Sequence, residues 1–198
     1  MQTPIHNITS PPKPGYLSGQ LLVATPLVNS PGFMHSVIFM CSHDEHGAMG
    51  IIINHIIENI SYRDLFEQLS INREQSIEHL PVHYGGPVEI NRGFVIYHYD
   101  DIPQPESICS TNNIAVSSSL NILRDIAHGK GPDQRLLALG YAGWAAGQLE
   151  TEIESNSWIS VPASRELVFA SDNEAKWQRA ASAHGIDIRK LTSDIGHA

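Results

Sequence analysis

The chain holds only two cysteines in 198 residues, Cys41 and Cys109, and no Cys-x-x-Cys pair. That argues against a disulfide framework and against a zinc site built from paired thiolates. Two separate cysteines are the usage of a reducing compartment, with a single disulfide left open. Positive charge is thin as well: 12 Lys and Arg stand against 21 Asp and Glu, for a net −9 with neutral histidines. A chain of that charge gains little from counterion release and has no general attraction to nucleic acid or anionic membrane. No apolar run approaches the roughly 18–20 residues of a spanning helix. The opening MQTPIHNITSPPKPGYLSG has neither the basic flank nor the apolar stretch of a secretory signal. GxxxxGK(S/T), GxGxxG and GxSxG are all missing. The expectation is a cytoplasmic protein with no membrane partner, no cofactor and no nonspecific nucleic-acid partner.

What is present is an ordinary globular composition, 41% hydrophobic, in a chain long enough to bury roughly 70% of its unfolded surface without staples. Residues 1–18, with four prolines, read as an extended or disordered lead-in, and 19–198 as a single domain. Gln20–Thr25 is a short apolar strand stopped by Pro26. Ser36–Cys41 and Gly50–Asn54 are strands buried on both faces, joined through the polar loop His43–Gly47. Ser61 caps a helix with Asp64 three residues on, and Leu65, Phe66 and Leu69 form its apolar stripe. Val82–Tyr84, Gly85-Gly86-Pro87 and Gly93–Tyr99 read as strand, sharp turn, strand. Ile108 and Ile114–Val116 are short strands. Ser118 or Ser119 caps a helix carrying Leu120, Leu123, Ile126 and Ala127, with Gly129 as its left-handed stop. Trp158–Val161 is a strand ended by Pro162. Ser171 and Glu174 form a capping box for a last helix striped by Trp177, Ala180, Ala181 and His184. Strands and helices alternate irregularly, with hairpins among the strands, which favours an α+β domain with a mixed sheet.

The stretch Leu136–Trp158 (LLALGYAGWAAGQLETEIESNSW) organises the rest. Leu136–Tyr141 reads as a central strand. Gly140, Gly143 and Gly147 then form a bend that delivers a helix around Gly147–Ser155, with Leu149 and Ile153 inward and Glu150 and Glu154 toward solvent. Free N–H groups at a helix start beside that bend suit an anion. Gly140, Tyr141, Gly143, Trp144, Gly147 and Gln148 are therefore the candidate ligand-binding residues. Their structural alternative is core aromatics, with glycines that let a helix approach a sheet.

The blocks GQLLVATP (19–26), FMHSVIFMCSHDEHGAMGIIIN (33–54), YGGPV (84–88), LRDIAHGKGP (123–132) and LGYAGWAAGQLETEIESNSW (139–158) together resemble the AlgH/YqgE family of bacterial proteins. They run in order and cover most of residues 19–185, and GYAGWAAGQLE is the most specific. The resemblance implies a single α+β domain whose mixed, strongly coiled sheet is flanked by helices. It also carries a transcriptional-regulator label, and it supplies no catalytic residue and no cofactor to carry over.

Other clusters each have two readings. His43, Asp44, Glu45 and His46, with His35 and His55 near in sequence, have metal-ligand chemistry, and they equally suit a solvated hairpin loop; no metal site is assigned. Glu150 and Glu154 share a helix face as an acid–base pair would, or as a solvated face does. Ser117–Ser119 suit caps better than a nucleophile. Cys41 lies in an apolar strand and reads as core. Lys176, Arg179, Arg189 and Lys190 are interleaved with acids, which weakens a nucleic-acid reading. No catalytic residue is assigned. The leading expectation is a non-enzymatic regulatory or adaptor-like module with an unknown protein partner. The alternatives are a small anionic-ligand binder, or an enzyme such as a hydrolase, at the Gly140–Gly147 bend.

Overall fold

One strongly curled ten-stranded sheet frames the protein in the computed structural model, which describes residues 15–72, 80–100, 105–183 and 185. The elements run β1 (Gln20–Ala24), β2 (Val37–Asp44), β3 (Gly47–Ile52), β4 (Ile56–Ser61), α1 (Tyr62–Gln68), β5 (Pro81–Tyr84), β6 (Val88–His98) and β7 (Ser107–Thr111). They continue with β8 (Ile114–Ser117), α2 (Leu120–Ala127), β9 (Arg135–Ala145), α3 (Gln148–Glu154), β10 (Trp158–Pro162), α4 (Arg165–Val168) and α5 (Asn173–Ser182). In space the order is β10-β1-β2-β3-β9-β6-β8-β7, with β5 beside β9 and β4 beside β5. Neighbours are antiparallel except β5 and β9, which makes the sheet mixed and the fold α+β, as expected. The curl brings β7 against β2. Gly19, just before β1, abuts Thr111, at the end of β7, closely enough that a Cβ there would lie 2.2 Å from the threonine methyl.

β9 is the central strand. One of its edges takes β5 along 137–139 and then β3 along 142–145; the other takes β6. The segment read as strand, sharp turn, strand (82–99) is thus no hairpin: β5 and β6 pair with β9 from opposite sides instead of with each other. The inner face holds Leu21, Phe39, Cys41, Ile51, Phe94, Ile96, Cys109 and Val116, closed off by α4 and α5 through Val168, Ala180 and Ala181. On the outer face, α1 and α2 cover one half through Tyr62, Phe66, Ile122 and Ile126. α3 covers the other half, where Leu149 packs with Ile38, Met40, Trp144 and Trp158. Each buried side chain of that size is worth about 1.5–3 kcal/mol relative to exposure, so these three clusters dominate the stability.

The caps follow the sequence closely. Ser61 and Asp64 form a reciprocal capping box, with the Ser61 N–H donating to Asp64 Oδ2 at 2.8 Å. Ser119 caps α2, and Gly129 follows it at φ +70. Asn112 and Asn113, both at positive φ, make the two-residue turn between β7 and β8 that the strand twist favours.

Several expectations change. The loop His43–Gly47 is a tight hairpin: Asp44 pairs with Gly47, only Glu45 and His46 turn, and the Asp44 carboxylate accepts the His46 N–H at 2.8 Å. Asp172 rather than Ser171 caps α5, because its carboxylate reaches the Ala175 N–H at 2.9 Å. Leu69 and Leu120 lie exposed at their helix ends, while Tyr62 and Ile122 take the inward positions. The last stripe holds at Trp177, Ala180 and Ala181, and also buries Lys176 completely. Residues 1–14 of the lead-in, His184, and the tail with Arg189 and Lys190 lie outside the described residues.

Candidate functional site

The glycine-rich segment is strand for most of its length. β9 runs through Gly140 and Gly143 to Ala145, and only residues 146–147 turn before α3. The expected bend at 140–147 shrinks to that turn because β3 pairs with β9 from Ala142 to Ala145 and holds it extended. The three glycines do different work. Gly140 sits at φ +74 with its back to the β5–β6 connection; a Cβ would lie 2.3 Å from the Gly86 carbonyl oxygen. It is also where β9 changes phase: Leu136 and Ala138 face the inner core before it, and Tyr141 does so after it. Gly147 at φ +74 is the left-handed residue that starts α3, with nothing within 4 Å of a Cβ. Gly143 lies at an ordinary φ with its nearest neighbour at 3.5 Å, so it makes no bend and permits no unusually close approach.

The remaining candidates divide between the two faces of β9. On the outer face, Trp144 Nε1 donates to Glu152 Oε2 at 2.9 Å and Trp158 Nε1 donates to the same oxygen at 2.7 Å. Gln148 donates to Glu152 Oε1 at 2.8 Å, and its own carbonyl accepts the Ala145 N–H. Trp144, Gln148 and Glu152 are therefore a closed clasp that pins α3 to β9 and β10. Beside it, Glu150 is not turned to solvent alone. His43 Nδ1 accepts the Leu17 N–H at 3.2 Å, which places the proton on Nε2, and Nε2 donates to Glu150 Oε1 at 3.1 Å. This pair ties residues 16–18 and α3 to β2.

The histidine-rich loop separates its members. His43 is buried, the His46 ring is exposed, and the His35 ring lies against Trp177 at 4.3 Å. Among the described residues, no group of three His, Cys, Asp or Glu side chains is placed to hold a metal ion. Ser119 caps α2, and Ser117 Oγ accepts the Ser119 N–H.

Two features had no clear signal in the sequence. The first is a buried basic pair. Lys176 Nζ donates to the carbonyls of Ile53 and Val168, joining the residue after β3 to α4 and α5, and burial lowers it to about 8. His83 contacts the Leu137 carbonyl through Nδ1 at 3.2 Å and Asn173 through Nε2 at 3.3 Å. Burial first, and then the Lys176 charge, lower it to about 4. A neutral ring has one proton, so Nδ1–H serves the carbonyl and Nε2 accepts from the Asn173 amide, rotated to present its nitrogen.

The second feature is on the inner side of β9, at the open end of the curl. Val88 pairs with Tyr141, and Gly93 pairs with Leu139. Four β6 residues, Glu89 to Arg92, thus lie opposite the single Gly140 and swing out as a bulge, with Glu89 at φ +48. Val88 is 37% exposed and Ile90 is 57% exposed there. Gly143 leaves a flat space between the Tyr141 ring and the Val88 methyls. Arg92 edges the strip, paired with Glu89 at 2.9 Å, hydrogen-bonded to Ser118, and set over the Phe94 ring at 5.2 Å. Burial raises the Tyr141 phenol, Glu89 adds to the rise, and Arg92 opposes it. Tyr141 and Gly143 of the expected site are here; Trp144 and Gln148 are on the opposite face. The sequence signal for the strip was the alternation Val88-Glu89-Ile90 after Gly86-Pro87, which reads as an ordinary strand start.

This curled α+β sheet with its glycine-switched central strand defines a recognisable class, that of the AlgH-like proteins. The AlgH-like family model (DUF179) matches residues 21–189, and the chain belongs to that family. A UPF0301 protein of Jannaschia sp. (strain CCS1) is 45% identical over 183 residues, 92% of this chain and 95% of that one. A UPF0301 protein of Rhodospirillum rubrum is 44% identical, covering 93% and 95%. The solution structure of the AlgH protein from Pseudomonas aeruginosa superposes with a TM-score of 0.75 at 34% identity, over 96% of this chain and 100% of that one. A crystal structure from Corynebacterium diphtheriae, 20% identical with a TM-score of 0.71 over 92% and 94%, shares the fold. Among the described residues, no helix is long and apolar enough to cross a membrane.

Proposed function

We propose that the protein is a non-enzymatic regulatory or adaptor-like module that binds a protein partner through the strip formed by Val88, Ile90, Tyr141 and Gly143. The observation that carries this reading is the β6 bulge. It holds Val88 and Ile90 in solvent, Val88 beside the Tyr141 ring and the bare Gly143, and it does so at the cost of a left-handed Glu89. Strained backbone that presents apolar surface is characteristic of contact sites rather than of folding alone. The polar clusters support the same reading: the Glu152 clasp, the His43–Glu150 pair and Lys176 all spend their hydrogen bonds inside the fold. With a net charge of −9, a regulatory role runs through protein contacts rather than through DNA. The test is quantitative co-purification from the native cytoplasm with the wild type and with a Val88→Asp, Ile90→Asp double variant of unchanged Tm. The reading expects a protein recovered in near-stoichiometric amount with the wild type and lost with the variant. Identical eluates would contradict it.

A further inference from the structure

Cys41 and Cys109 are the only cysteines of the chain. They lie on strands that share no hydrogen bond in the sheet, β2 and β7, and the curl brings those strands together. Both thiols are free and buried in the same inner cluster. Each sits beside a break in its ladder. Cys41 is the extra residue between Met40 and Ser42, which pair with Gly50 and Met49, and Cys109 follows the shift between Ser107 and Cys109. The bulge leaves Cys41 free of ladder constraints and lets its side chain be re-aimed, while Cys109 stays paired with Val116 next to the extra residue Ile108. The Cys41 Sγ reaches the Phe39 carbonyl at 4.0 Å, and the neighbouring Cys109 thiol, with burial behind it, pushes the Cys41 thiol up.

We propose that Cys41 and Cys109 are a redox pair: two-electron oxidation joins them in a disulfide that fastens β7 to β2 across the inside of the curled sheet, and a thiol reductant releases it. The oxidant class is a low-molecular-weight disulfide. Cys109 is reached first, because β7 is the end strand of the sheet and, among the described residues, pairs only with β8, so its local opening needs the fewest contacts broken. The Cys109 thiolate attacks one sulfur of the small disulfide. A mixed disulfide forms, and a small thiolate leaves with the proton that Cys109 gave up. The Cys41 thiolate then attacks the Cys109 sulfur, the protein disulfide forms, and the second small thiolate leaves with the Cys41 proton. Two protein thiols are oxidised and one small disulfide is reduced to two thiols. The product closes a long loop and ties the end strand to the sheet, so the oxidised form is the more stable one.

The experiment incubates the full chain, folded, with glutathione disulfide, then reads intact mass, the cross-linked peptide and Tm. The expected result is a monomer lighter by about 2 Da, a Cys41–Cys109 peptide, and a Tm higher on the order of 10 °C, all reversed by dithiothreitol. Cys41→Ser and Cys109→Ser should each give only the glutathione adduct or no reaction, with no rise in Tm. Should either variant fail to fold, the wild-type peptide and Tm still decide. Two unmodified thiols in the folded protein, glutathione adducts without the internal cross-link, or disulfide-linked dimers would each overturn the proposal.

Discussion

Gly140 and Gly86 are packed back to back, with the place where a Gly140 Cβ would stand only 2.3 Å from the Gly86 carbonyl oxygen. That contact is what lets the β5–β6 connection cross β9, and it is where β9 turns its side chains over. A methyl group at Gly140 meets backbone on one side and a left-handed φ on the other, so neither can relax alone. Gly140→Ala should lose roughly 3 kcal/mol or more, read as a fall in the urea midpoint. Gly143→Ala, where a Cβ makes only an ordinary contact with the Tyr141 ring at 3.5 Å and φ is ordinary, should stay within about 1 kcal/mol. Equal midpoints for the two variants would show that the phase change does not depend on the glycine.

The Glu152 carboxylate accepts two indole N–H groups that are almost fully buried, from Trp144 and Trp158. Glu152→Ala leaves both without a partner, and each buried orphan donor costs about 1–3 kcal/mol. The variant should lose several degrees of Tm and shift the tryptophan emission to the red as water reaches the rings. An unchanged spectrum at unchanged Tm would mean that the clasp is not what holds α3.

His83 makes stability depend on acid. Its folded value of about 4 lies below the ordinary 6.5, so between those values the unfolded chain binds a proton that the folded one refuses. Stability is then lost as pH falls from about 6.5 to 4, by on the order of 2–3 kcal/mol. His83→Gln should flatten that limb in urea melts taken at each pH. A slope equal to the wild type's would remove His83 as its source.

Lys176 acts in the alkaline range with the same sign. Its folded value of about 8 lies below the ordinary 10.5, so the unfolded chain keeps its proton longer and the Lys176 contribution to stability rises with pH from about 8 upward. Cys41 and Tyr62, both raised by the fold, pull the other way above about 9. The difference between wild type and Lys176→Met isolates the lysine: it should shift in favour of the wild type from pH 7.5 to 9.5. A difference that stays flat would contradict the lowered lysine.

The sequence made local features legible and long-range ones not. Ser61 with Asp64, and Ser119 with Gly129, are fixed by residues three to ten positions apart, and all four behave as their chemistry dictates. The apolar runs that became β1, β2 and β3 were visible because strands buried on both faces need no alternation. Gly140 and Gly143 look identical in the sequence, however, and only the approach of Gly86, 54 positions earlier, separates them. In the sequence Lys176 reads only as one of the basic residues interleaved with acids near the C-terminus, because its acceptors, Ile53 and Val168, are backbone carbonyls with no residue signature. Of the candidate site, Tyr141 and Gly143 lie at the exposed strip, whereas Trp144 and Gln148 serve the clasp. Alternate residues of a strand face opposite ways, and nothing in the sequence marks the change of phase at Gly140, opposite the β6 bulge.

Site-specific photo-cross-linking tests the binding reading most directly. A photoreactive residue at Ile90, on the strip, is compared in living cells with one at Leu120, which is similarly exposed, at 48%, at the start of α2. The account predicts one discrete protein adduct from Ile90, reproduced from Val88 and absent from Leu120. No adduct from either strip position, or the same adducts from Leu120, would contradict it.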